Sequence, residues 1–348
     1  MLHLRTKLAV LCLIGLMADT ALAQANGAYS HERSVAVARP DWMAGVSGGK
    51  RLHELSLPGT HDSVTGEYTG IVPGVETQTL SLAAQLESGI RVLDVRCRHI
   101  DNAFAIHHGI VYLGRNFDDV LGVVTAFLRQ HPGETVVMRV KEEYEPANNS
   151  RSFSETFGAY WNDARHAPYF WAPNSNDPAL DEVRGRIVVL QDFSLTPTLY
   201  GIDYGSQNIQ DDYVVSAITA QYDKWLKVKA QLDRAHQAQG SWHTPFMNYL
   251  SGSTGVLPYF VASGKVTAST SSAQLLTGLT TPLFKSWWPD FPRVGCFWGM
   301  CSIAYDGTNH LAYNYISKAA YEWRYAGFVM ADYPGPDLIQ AVIQLNFH

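Results

Sequence analysis

Arg184-Gly185-Arg186-Ile187-Val188-Val189-Leu190 carries an unbroken apolar run of mostly branched residues behind a charged turn. Such a run reads as a strand covered on both faces, which is the habit of a parallel sheet packed between helices. Working outward, residues 135–140 and 90–95 read as further strands, as does 103–106. Leu55-Ser56-Leu57 is a brief strand expected to end at Pro58-Gly59. Between them Val120, Leu121, Val124, Phe127 and Leu128 recur at helical spacing over 118–130, and Pro132-Gly133 stops that helix. Downstream, residues 214–237 read as one long helix, and 246–250 and 327–330 as late strands. Strand and helix alternate over one undivided stretch without repeats, so the fold class is α/β. Around eight short strands in this length favour a TIM-type (β/α) barrel in a single domain over an open doubly wound sheet.

The 348 residues include 26 Lys+Arg against 32 Asp+Glu, with 46% hydrophobic and 17% charged residues, so a sizeable core is available. The acidic balance argues against a nucleic-acid-coating protein. Arg5 and Lys7 precede an apolar run from Leu8 to Met17, and Ala21-Leu22-Ala23 supplies a small-x-small site before Gln24. Residues 1–23 therefore read as a secretory signal peptide and 24–348 as the mature domain. The competing reading is a membrane anchor, but the run falls short of about 20 spanning residues. A secreted product is expected. Cys296 and Cys301 are close enough to be bridged in an oxidising compartment, which would leave Cys97 a lone thiol on a strand.

Polar residues stand just after several apolar runs: His61 and Asp62, Asp94 and Arg96, His107 and His108, Lys141, and Asp332. In a β/α barrel these strand ends would converge on one mouth. Val92-Leu93-Asp94-Val95-Arg96 alternates, so Asp94 and Arg96 share a side of their strand. His107 and His108 point to opposite faces, one toward the mouth and one packed. Two His plus one Arg suit phosphoryl transfer: a neutral imidazole takes a proton, a protonated one gives a proton, and a guanidinium clamps the phosphate. A metal site is the competing use of His and Asp, and the fixed charge of Arg96 weighs against it.

The chain resembles the bacterial phosphatidylinositol-specific phospholipases C from about Trp42 to Tyr333. The resemblance is carried by Pro58-Gly59-Thr60-His61-Asp62-Ser63, Gly89-Ile90-Arg91-Val92-Leu93-Asp94-Val95-Arg96 and His107-His108-Gly109-Ile110-Val111-Tyr112-Leu113. It continues in Lys141-Glu142-Glu143-Tyr144, in the Arg184 to Leu190 stretch, in Gln210-Asp211-Asp212-Tyr213 and in Asp332-Tyr333. The resemblance implies a distorted, incompletely closed barrel. It implies that His61 is the general base for the inositol 2-hydroxyl, oriented by Asp332, and that His108 is the general acid, assisted by Asp62. Arg96 looks like the phosphate-binding arginine, with Asp94 as its acidic neighbour. Lys141, Arg184 and Asp211 fall on positions that hold inositol hydroxyls, and Tyr213 on one that lies against the ring. Cleavage to inositol 1,2-cyclic phosphate and diacylglycerol, without metal or other cofactor, is the implied reaction.

The implied partners are phosphatidylinositol in membrane surfaces, reached by transient peripheral contact, and glycosylphosphatidylinositol anchors as a further substrate class. A monomer is expected. A barrel phosphodiesterase for another head group, or a non-catalytic exported protein that binds inositol lipids or glycans, are the alternatives. The chain departs from the family where an interfacial tryptophan can stand, carrying Val256 and Leu257 instead. It departs again in 263–307, where Trp287, Trp288, Phe291, Phe297 and Trp298 read as core more readily than as membrane contacts.

Overall fold

The computed structural model describes residues 27–239, 244–318 and 324–347. The signal-peptide reading of 1–23 lies outside the described residues. In chain order the strands are β1 (Leu57–Thr60), β2 (Val92–Ile100), β3 (Ala103–His108), β4 (Val111–Asn116), β5 (Val136–Glu142), β6 (Ile187–Asp192), β7 (Ile202–Asp203) and β8 (Asn208–Gln210). They continue with β9 (Val214–Val215), β10 (Phe246–Tyr249), β11 (Ser253–Thr254), β12 (Leu276–Thr281), β13 (Arg293–Phe297), β14 (Met300–Ala304) and β15 (Phe328–Ala331). The helices are α1 (Leu82–Ser88), α2 (Phe117–Gln130), α3 (Phe153–Trp161), α4 (Leu180–Val183), α5 (Gln221–Ala238), α6 (Pro258–Ser263), α7 (Thr308–Lys318) and α8 (Pro336–Gln344).

Eight strands pair in the spatial order β7-β6-β5-β2-β1-β15-β10-β8, every pair parallel. Among the described residues β7 and β8 do not pair, so the barrel is curled but open. This is the distorted α/β barrel expected. Its wall is apolar on both sides where the runs demanded it: Val136, Val137, Met138 and Val140 of β5 and Ile187 to Leu190 of β6 are fully buried. Helix α2 buries Val120, Leu121, Val124, Phe127 and Leu128, the stripe read from spacing, and Asp119 caps its start by accepting from the Asn116 N–H at 2.9 Å.

Three local expectations change. β1 runs through Pro58-Gly59 instead of ending there, because Gly59 lies so close to its neighbours that a Cβ would stand 2.4 Å from Met330 Sδ and 2.9 Å from Val92 Cβ. The long helix starts at Gln221, not 214, since Val214-Val215 is drawn into a parallel pair with β11. Residues 276–304 form a separate antiparallel sheet, β12-β14-β13, whose β13–β14 hairpin is closed by a Cys296–Cys301 disulfide. Its aromatics divide: Phe291 is buried against Tyr222 and Tyr305, while Trp287, Phe297 and Trp298 are exposed. Cys97 is a buried free thiol on β2. No helix of the described residues is long and apolar enough to cross a membrane.

Candidate active site

Register alone brings the first two groups together. Thr60 of β1 pairs with Ala331 of β15, so the next residues, His61 and Asp332, leave neighbouring strand ends side by side. His61 Nδ1 lies 2.8 Å from Asp332 Oδ1. Its Nε2 lies 2.6 Å from Arg96 Nη2, which can only donate. Nε2 is therefore the acceptor, and the proton sits on Nδ1 and is donated to Asp332. Burial raises the Asp332 carboxyl above its ordinary pKa, offset in part by His61.

Asp62 turns the chain at the mouth in the left-handed region, φ 44°, a conformation Asp tolerates better than most residues. That turn aims its N–H at Asp94 Oδ2, 3.0 Å away, and its carboxylate at His108 and Arg96. His108 arrives by a different route. β3 runs back antiparallel along β2, pairing Ile106 with Cys97, and this returns His108 to the level of Arg96. Its Nδ1 donates to Asp62 Oδ2 at 2.5 Å. Burial works against the imidazolium, but the hydrogen bond and charge of Asp62 outweigh it and hold His108 above its ordinary pKa. His107, on the other face, is buried.

Arg96 occupies the centre. Its Nε and Nη2 donate to Asp94 Oδ2 at 3.2 and 3.0 Å, and Nη1 stands 3.8 Å from Asp62 Oδ2. Burial opposes its charge, yet Asp94 and Asp62 push its pKa above the usual arginine value. Burial likewise opposes ionised Asp94, and Arg96 with Arg139 holds that carboxyl well below the ordinary range. The two carboxylates thus converge on a cation that the protein itself supplies. Among the described residues no three His, Cys, Asp or Glu side chains gather as a metal-ligand set.

Lys141 pairs in register with Arg96 and donates to Glu143 Oε2 at 2.8 Å; Glu143 also accepts the Gly109 N–H at 3.0 Å. Burial opposes the Glu143 charge, but Arg96 and Lys141 hold it below the ordinary range. Asp211 and Tyr213 follow β8 at the same end of the barrel, and both are exposed. Arg184 does not belong to the site. It precedes β6, at the opposite end of the parallel sheet, where its guanidinium bonds Asp181 and the carbonyls of Met43, Gly133 and Val46. The motif that contains it is a folding element there, and its charge is used to tie three loops together.

Sequence reasoning passed over Arg139, Asp192 and Tyr249. The first carried a usable signal: Arg139 stands two residues before Lys141, as Asp94 stands two before Arg96, so the alternation that aims Lys141 inward aims Arg139 inward too. Arg139 is buried, bonding Asp94 Oδ1 and the Tyr249 hydroxyl, each at 3.2 Å.

Comparison with known proteins speaks to the family and the fold. Residues 56–192 match the family model described as phosphatidylinositol-specific phospholipase C, X domain. A 1-phosphatidylinositol phosphodiesterase of Listeria monocytogenes is 32% identical over 235 residues, covering 63% of this chain and 70% of that protein. One from Staphylococcus aureus is 29% identical over 241 residues, covering 62% and 76%. Among solved structures, a phosphatidylinositol-specific phospholipase C from Staphylococcus aureus superposes with a TM-score of 0.65 at 23% identity, covering 90% of this chain and 99% of that one. The Listeria monocytogenes enzyme gives 0.62 at 25% identity, over 89% and 99%. The chain belongs to the bacterial phosphatidylinositol-specific phospholipase C family of enzymes.

Proposed function

We propose that the protein is a secreted phospholipase C that cleaves phosphatidylinositol by intramolecular attack. His61 Nε2 takes the proton of the inositol 2-hydroxyl as that oxygen attacks phosphorus. The bond from phosphorus to the diacylglycerol oxygen breaks, and His108 gives its proton to the departing oxygen. Asp332 fixes the His61 tautomer, and Asp62 keeps His108 charged until the proton is needed. Arg96 neutralises charge on the phosphate in the transition state. The products are inositol 1,2-cyclic phosphate and diacylglycerol, and slower ring hydrolysis reuses the same pair with water. Lys141, Asp211 and Tyr213 receive the inositol ring.

One observation carries the reading: Arg96 bonds His61 directly and approaches Asp62, which bonds His108, so base, clamp and acid meet around one guanidinium. A lipid head group must enter this mouth from a bilayer. Exposed Ile71 and Leu257, on the loops that follow β1 and β11, suit transient peripheral contact there.

The test is conversion of phosphatidylinositol vesicles in excess chelator, followed by phosphorus NMR, beside phosphatidylcholine and sphingomyelin. A cyclic phosphodiester resonance from phosphatidylinositol alone is expected. Strict dependence on added calcium, or a head-group product without the cyclic intermediate, would overturn the mechanism.

A further inference from the structure

Residues 265–304 lie between β10 and α7, in a strand-to-helix connection, and in a β/α barrel those connections gather at the mouth. Hydrogen bonds root the connection there. Thr308 Oγ1 donates to the carbonyl of Leu250, the residue after β10, at 2.9 Å, and Asn309 Nδ2 donates to the carbonyl of Asp332 at 2.8 Å. Asp290 and Phe291 fasten the same segment to α5, Asp290 accepting from Tyr222, Trp225 and Lys229.

The free end of this segment is apolar. In the β13–β14 hairpin Phe297 pairs with Met300 across a two-residue turn, Trp298-Gly299, whose φ angles are 48° and 78°. Such a turn favours Asn-Gly, and a bulky side chain at its first position is disfavoured. Trp298 stands there all the same, 89% exposed, between Phe297 at 71% and Met300 at 56%. Leu283, 81% exposed, comes two residues after Thr281, which pairs with Cys301 just below the turn. A Cβ built at Gly295 or Gly299 would meet nothing within 4 Å, so this end stands clear of the other described residues. The Cys296–Cys301 disulfide ties the two strands directly below the turn and holds the shape of an end that has no core beneath it.

An apolar cluster displayed at a backbone cost marks a contact. Four side chains fall far short of the about 20–30 residues a side that stable protein interfaces use. They suit the head-group layer of a bilayer, where a Trp buries its ring and keeps its N–H wet. Charge agrees. Residues 265–304 carry Lys265, Lys285 and Arg293 against Asp290 alone, and Asp290 is paired with Lys229, although the whole chain is acidic.

We infer that this disulfide-closed hairpin is a membrane anchor: Trp298, Phe297, Met300 and Leu283 enter the head-group layer of an anionic bilayer and hold the barrel to its surface. The inference rests on the proposed cleavage of phosphatidylinositol and names the surface through which the bilayer is bound.

The experiment sediments the full chain, as wild type and as Phe297→Ser/Trp298→Asn, with vesicles of phosphatidylcholine and phosphatidylglycerol. Asn suits the left-handed turn better than Trp, and unchanged turnover of soluble inositol 1,2-cyclic phosphate verifies the fold of the variant. Loss of the apolar burial should weaken vesicle binding about tenfold to a hundredfold. Turnover of phosphatidylinositol in vesicles should fall with it. Trp298→Asn alone takes the place of the double variant if that one loses soluble turnover. Vesicle binding equal to that of wild type overturns the inference. So does a wild-type dimer that the substitutions dissociate, which would give the hairpin to a second copy of the chain. A wild type that binds vesicles but cleaves no phosphatidylinositol overturns the cleavage reading and leaves the anchor standing.

Discussion

Arg91 and Arg96 flank the start and middle of the same strand, and each meets a buried carboxylate, yet they do opposite work. At the N-terminal end of the parallel strands Arg91 is fully buried. It bonds Glu134 through Nε at 2.8 Å and Nη2 at 2.7 Å, the carbonyls of Leu86 and Ile90 through Nη1, and that of Pro40 through Nη2. Glu134 in turn accepts from the Met43 and Ala44 N–H groups. Every nitrogen of that guanidinium has an acceptor. At the mouth the side chain of Arg96 is 13% exposed and donates to a histidine nitrogen, a weaker acceptor than a carboxylate. One oxygen each of Asp62 and Asp332, Oδ1 and Oδ2, is buried without a hydrogen-bond partner among the described residues. A saturated cluster is scaffold, and an unsaturated one is free to exchange partners with a substrate.

The comparison breaks most visibly in paired substitutions. Arg91→Met leaves Glu134 buried with its main cation gone and should cost about 3–5 kcal/mol of stability in denaturant melts. Turnover per folded molecule should stay as it is. Arg96→Met should instead lower kcat about 10²–10³-fold, the usual effect of removing a donor aimed at developing charge. Its stability loss should be smaller than that of Arg91→Met, because Arg139 and the Asp62 N–H remain on Asp94. Should Arg96→Met turn over like wild type, or Arg91→Met lose activity with an unchanged melt, the division into scaffold end and working end is wrong.

A gentler perturbation concerns the acid. The pKa of His108 is raised by Asp62, so the imidazole stays protonated to higher pH than usual and the alkaline limb of kcat should lie correspondingly high. Asp62→Asn removes the charge that favours the imidazolium. The limb should move to lower pH, with the rate near the acid end less affected. A pH–rate profile whose alkaline limb does not move would show that another group sets it.

Much of this division was legible in order and alternation. Asp94 and Arg96 share a strand face in the sequence itself, and the apolar runs of β5 and β6 announced a sheet buried on both sides. The meeting of His61 with Asp332, across 271 residues, needed the family resemblance to suggest it, since pairing of β1 with β15 is a long-range event that no local pattern encodes. Asp192 is hidden in the sequence because the apolar run stops at Leu190, whereas β6 continues two residues further. The β12-β14-β13 sheet was missed for another reason. Positive-φ glycines at 278, 295 and 299 and a register shift between Leu276 and Thr280 break the alternation that would have marked its strands.

Arg184 shows how position along a strand decides the role of a charge, and it gives the smallest expected effect. It belongs to the same motif as β6 but lies before the strand, so parallel packing carries it to the scaffold end with Arg91. There it bonds Asp181, at 2.7 Å, and three loop carbonyls. Arg184→Ala should cost about 1–3 kcal/mol through carbonyls left short of a donor, read as a lower denaturation midpoint. The KM for inositol substrates should not change, because the mouth lies at the far ends of the same strands. A raised KM in a variant that melts like wild type would place Arg184 at the head group and would overturn the assignment of that end of the barrel to scaffold.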